Sequence, residues 1–185
     1  PPRLEAGAQG AWWNRPGAGV TQAGPPISVL PGTPMTHDDL DALCHRACLQ
    51  LGVPDPYALG KGHTITLDGV HLEVQHKDPR PHFLLLAEIA LFAADQRAQV
   101  HERLLALQLS TADHPNLRFG FHPIRQTTLL CLTARPPRDG TDPSHWLARL
   151  LQSTAAQVIE WRQELHRGDG STAWFNPAIQ LELRG

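Results

Sequence analysis

The chain is poor in the residues that reactive and membrane-embedded proteins depend on. It holds three cysteines, Cys44, Cys48 and Cys131, and an odd number cannot all pair. Cys44 and Cys48 stand one helical turn apart and suit small buried hydrophobes, a usage that fits a reducing cytoplasm. Charge is nearly balanced, with a formal net of -2, so nothing favours gripping a phosphate backbone and no nucleic-acid partner is expected. No apolar run approaches the span of a bilayer; "HFLLLAEIALFAAD", residues 82–95, is too short and carries Glu88. The opening residues lack a basic region followed by an apolar stretch, so no signal peptide is expected.

Catalytic signatures are missing as well. "GKGHT", residues 60–64, lacks the strand–loop–helix setting and the further glycine of a phosphate loop, and there is no Gly-x-Ser-x-Gly elbow. Cys131 lies between leucines in "LLCLT", where burial raises a thiol's pKa and leaves it inert. Glu88, alone in an apolar run, fits an outward-facing or strand-end carboxylate better than a general acid. Eleven histidines invite a metal, yet His71 with His76, or His63 with His82, lack the close Cys or carboxylate partners that zinc requires. The pair Cys44 and Cys48 supplies only half of a tetrahedral shell. The expectation is a binder with no catalytic residues, no cofactor and no metal.

What is present is enough for one globular domain: 185 residues, of which 41% are hydrophobic. Residues 1–34 are rich in Pro, Gly and Ala without a sustained period and form an arm. Met35, the sole methionine, stands directly before the first helix signal. Two readings of the arm follow: an extension upstream of a native start at Met35, or a segment whose "AWW" (with Trp12 and Trp13) and "ISVL" dock on a surface. Residues 35–166 carry the domain, and residues 167–185 form a tail.

Within the domain the signals come in order. Thr36 followed by Asp39 has the form of a capping box. Leu40, Leu43, Cys44, Ala47 and Leu51 then recur at helical steps until Gly52 and Pro54 stop the helix. In "HTITLDGVHLEVQHK", Ile65 and Leu67 run into Asp68-Gly69 and Val70, Leu72 and Val74 run out, the strongest short hairpin signal. A third strand is expected from about Phe83 to Ile89. A helix follows from about Asp95 to Thr111, with Val100, Leu104, Leu107, Leu105 and Leu109 making an apolar face wider than one core contact needs. Leu117, Phe119 and Phe121 alternate in strand four, Thr127 to Thr133 form strand five, and Asp142-Pro143 opens a last amphipathic helix. The order is helix, three strands, helix, two strands, helix. It predicts an α+β fold with a twisted, mainly antiparallel sheet covered by helices on one face, leaving edges and another face to be managed.

This order, with "LDALCHRACLQLGVPDP", "ITLDGVHLEV" and "LLALQLSTADHPNLRFGFHPIRQTTLLCLTARPP", resembles the class I type III secretion chaperones, the Tir-chaperone or CesT-like family. The resemblance spans about Thr36 to Leu165, with Gln108 where the family more commonly has Asn. It implies a bacterial cytoplasmic homodimer without catalytic activity, holding the N-terminal region of an effector extended and ready for secretion. Carried over residue by residue, it places the dimer contact on Val100, Leu104, Leu107, Leu117, Phe119 and Phe121, with ordinary intrachain core as the competing role. Gly120, between two phenylalanines, would admit a second backbone. It places effector contact on Leu40, Leu43, Ile65, Leu67, Val70 and Leu72, although alternation requires part of that set to face the core. Two other classes stand beside this one: a small α+β enzyme or metal-binding domain using the histidines, and an adaptor that sequesters a regulator on the same scaffold.

Overall fold

The computed structural model describes residues 35–76, 81–112 and 114–167; the arm lies outside the described residues, and of the expected tail only Arg167 is described, as the last residue of the final helix. Among the described residues, three helices and one five-stranded antiparallel sheet make up the fold, as the order of signals predicts. Helix α1 spans His37–Leu51, followed by β1 (Ile65–Leu67), β2 (Val70–His76) and β3 (Phe83–Leu91). Helix α2 (Arg97–Ser110) leads to β4 (Leu117–His122) and β5 (Thr127–Ala134), and α3 (Pro143–Arg167) completes the domain.

Local chemistry sets the ends of these elements. Thr36 Oγ1 accepts from the Asp39 amide at 3.2 Å while Asp39 Oδ2 accepts from the Thr36 amide at 3.0 Å, so two otherwise orphaned donors of α1 are satisfied reciprocally. Gly52 closes the helix in the left-handed conformation. Between β1 and β2, Asp68 and Gly69 both adopt positive φ, 50° and 76°, the combination that matches a two-residue turn to the twist of its strands. Ser144 is held at the start of α3 by Asp142 Oδ1, which accepts from its amide at 3.0 Å. Those hydrogen bonds keep the Asp142 carboxyl below the usual carboxylate range.

The strands stack in the order β1-β2-β3-β5-β4, so β1 and β4 are the edges. Registers such as Leu72 opposite Ala87, Leu85 opposite Leu132 and Leu117 opposite Leu132 align apolar rows on one face of the sheet. That face meets the long helix α3, which also packs on α1. Trp146 meets Phe83 edge-on with ring centroids 6.1 Å apart, and Trp161 meets Phe119 at 5.2 Å, so an indole anchors each end of the helix on the sheet. Cys44 and Cys48 lie sealed between these layers. Burial drives the Cys44 thiol far above its ordinary range and pushes Cys48 up to about 11. Neither is expected to react with iodoacetamide at mildly alkaline pH until denaturant is added; mass spectrometry of the alkylated chain checks this.

Strand β3 carries a bulge between Glu88 and Ala90, which leaves carbonyls out of the ladder. Arg162 of α3 answers it. Its guanidinium donates to the carbonyls of Glu88 and Gly69, both at 2.9 Å, and to that of Ile89. One planar fork thus ties the bulge, the β1–β2 turn and α3 together. Arg162→Ala is expected to cost about 2 kcal/mol in urea unfolding, with Arg162→Lys recovering little, because a single ammonium cannot span three carbonyls.

Candidate functional site

With α1 and α3 on one face of the sheet, the residues that alternate out of the core form an opposite face with no helix packed on it among the described residues. On that face lies an open hollow of about 410 Å³ lined by residues of all five strands, with His122 at the end of β4, and by Arg125 of the β4–β5 turn. Glu73 of β2 and Glu88 of β3 are its acidic groups, and Leu86 and Leu129 form an apolar floor. Register explains the mixture: Glu73 stands opposite Leu86, and Glu88 opposite Leu129.

The two carboxylates are treated differently. Glu73 is only 5% exposed, and it is compensated: Arg125 Nη1 donates to its Oε2 at 3.2 Å and Gln75 Nε2 to its Oε1 at 2.9 Å. Arg125 belongs to the β4–β5 turn, where its own amide donates to His122 Nδ1 at 3.1 Å. The next residue, Gln126, has a positive φ of 54°, and its side-chain oxygen accepts from Arg97 at the start of α2. The turn that presents Arg125 is therefore tied down from behind. Glu88 has His71 Nδ1 at 3.7 Å, beyond hydrogen-bond length, although its own side chain is only 20% exposed. Glu88 is outward-facing, as its isolation in an apolar run predicts.

Among the described residues, a second uncovered surface lies on α2. Val100, Leu104 and Leu107 turn into the core, while Leu105 and Leu109 stand 71% and 79% exposed on the other side. Phe121 of β4 meets His101 of the same helix edge-on at 5.2 Å, and Ile124 follows it in the β4–β5 turn, also exposed. Helix and edge strand are joined through Gln108. Its Nε2 donates to the Leu117 carbonyl at 3.2 Å, and its Oε1 accepts from the Phe119 amide at 2.9 Å. A side-chain amide thus takes the place of a neighbouring strand along part of the β4 edge.

These placements redistribute the residues that the sequence offers for partners. Val100, Leu104, Leu107 and Leu117 are sealed within their own chain, and Phe119 is half-buried against Trp161; Phe121 alone of that set reaches the surface substantially. Leu40, Leu43, Ile65, Val70 and Leu72 are likewise sealed in the core, with Leu67 half-buried against it. The reason is periodicity: a one-residue step along a helix or strand moves a side chain to another face, so the apolar row closes on α3 and its neighbours face outward. Cys131 also departs from expectation. Its leucine neighbours Leu130 and Leu132 point inward, which leaves Cys131 half-buried on the outer face. Burial still raises its thiol's pKa, offset in part by Arg118. Gly120 lies on that face too, where an added methyl group would make only ordinary contact with Cys131 Sγ at 3.6 Å.

The sequence signal for the α2 surface is the excess of leucines over one helix face; nothing in the sequence signals the Arg125–Glu73 pair, whose members lie far apart in the chain. Among the described residues no three His, Cys, Asp or Glu side chains converge as a metal-binding group. No described helix is long and apolar enough to cross a membrane. Compared with known protein families and with curated proteins, the chain matches none.

Proposed function

We propose that the chain is a non-catalytic binding protein of the type III secretion chaperone kind: a homodimer of the bacterial cytoplasm that holds the N-terminal segment of an effector in an extended form. What carries the reading is the bare stripe of Leu105 and Leu109 beside Phe121 and the β4 edge, while the other large apolar side chains among the described residues are mostly sealed. Exposed leucines at that density cost solubility unless a partner covers them. A twofold mate does so most simply, because the same stripe on each copy is self-complementary. The order helix, three strands, helix, two strands, helix supports the same reading.

Client binding falls to the outer sheet face. It offers an edge strand, β1, and a hollow with an apolar floor, features that an extended peptide uses by laying its backbone along the edge and its side chains into the depression. The dimer contact in this reading shifts from the sealed residues of α2 to Leu105, Leu109 and Phe121.

Co-expression with candidate effectors encoded near the gene, followed by pull-down and sedimentation, tests the proposal. The expected result is a dimer that retains an effector's N-terminal segment. A strict monomer at micromolar concentration that retains none would overturn it.

A further inference from the structure

We propose that the outer-face hollow is a subsite for a basic side chain, selecting client segments in which a lysine or arginine stands beside an apolar residue. The inference rests on the client-holding reading above and specifies the chemistry of the client.

The charges in the hollow do not balance. Glu73 and Glu88 face one fixed cation, Arg125, and that cation is committed to Glu73. Counting histidines as neutral, one negative charge is left over, and it resides on Glu88, four-fifths withdrawn from water with no hydrogen-bond-length contact to His71. A carboxylate in that position gains from an arriving ammonium or guanidinium, which completes the pairing that Glu73 already has.

The floor argues for the same ligand. Leu86 and Leu129 lie beside the carboxylates in the adjacent strands, so a long aliphatic stem can rest on them while its charged head reaches Glu88. An acidic side chain would meet Glu88 as a like charge, and a purely apolar one would strip its remaining water without compensation. At about 410 Å³ the hollow lies within the range of ligand-holding clefts. A peptide is the source that fits, because Thr66 of the edge strand β1 lines the same hollow, and an extended backbone can run along that edge.

The test uses three short fluorescent peptides with the same alternating leucines and with arginine, glutamine or glutamate at the intervening positions, titrated with the full chain by anisotropy at low ionic strength. The arginine peptide is expected to bind about tenfold tighter than the glutamine peptide, the scale of one charge-assisted hydrogen bond. Glu88→Gln is expected to remove that advantage while leaving the glutamine peptide's affinity unchanged. Arg125→Gln, which frees Glu73, is expected to tighten the arginine peptide further, so the two variants move in opposite directions. Equal binding of the arginine and glutamine peptides overturns the basic subsite and leaves the client-holding reading intact. An arginine preference that survives Glu88→Gln overturns it too, because the selection then comes from elsewhere on the surface. Failure of all three peptides to bind the folded chain overturns both.

Discussion

The double variant Leu105→Glu, Leu109→Glu is expected to sediment as a monomer, and the parent chain, on the proposed function, as a dimer. Each leucine withdrawn from water contributes about 2 kcal/mol, so the four in a twofold contact amount to on the order of 8 kcal/mol before ordering costs. Replacing them with carboxylates removes that term and sets like charges against one another across the axis. The dimer should weaken by at least about a thousandfold, equivalent to about 4 kcal/mol. Thermal stability of the monomer should hardly change, since both side chains are already in water, at 71% and 79% exposure. An unchanged sedimentation profile would remove the stripe from the interface.

The largest loss of fold stability is expected from Trp161→Ala, about 4 kcal/mol in urea unfolding. Trp161 is 1% exposed and closes the far end of α3 on the sheet through its edge-on contact with Phe119. Removing the indole opens a cavity between helix and edge strand that the antiparallel ladder, held in register by β5, cannot collapse to fill. Small domains are stable by about 5–15 kcal/mol, so the variant forfeits a large share of the total. Trp161→Phe should retain most of the stability because a ring remains against Phe119. A loss under about 1 kcal/mol would mean that α3 does not seal that end of the core.

Much of the fold is legible along the chain because its signals are local. The capping box at Thr36, the Asp68-Gly69 turn and Asp142-Pro143 each act through bonds within a few residues, and the structure places element ends beside all three. Which residues would meet a partner was less legible. Leu104 and Leu105 are chemically identical and adjacent, yet one is 4% and the other 71% exposed, a difference set by how α2 lies against β4. The Gln108 clamp and the Arg162 fork are invisible for the same reason, since each joins a side chain to backbone that is near it only in the folded chain.

The amino-acid order by itself determined the elements, their sequence along the chain and the apolar row that each one buries, because periodicity and turn chemistry operate over a handful of bonds. Only the tertiary structure decided which surfaces were left over. Strand order and helix placement bring Glu73, Glu88 and Arg125 to one hollow and leave Leu105 and Leu109 bare. Long-range packing, not local preference, settles which of the described side chains are left uncovered.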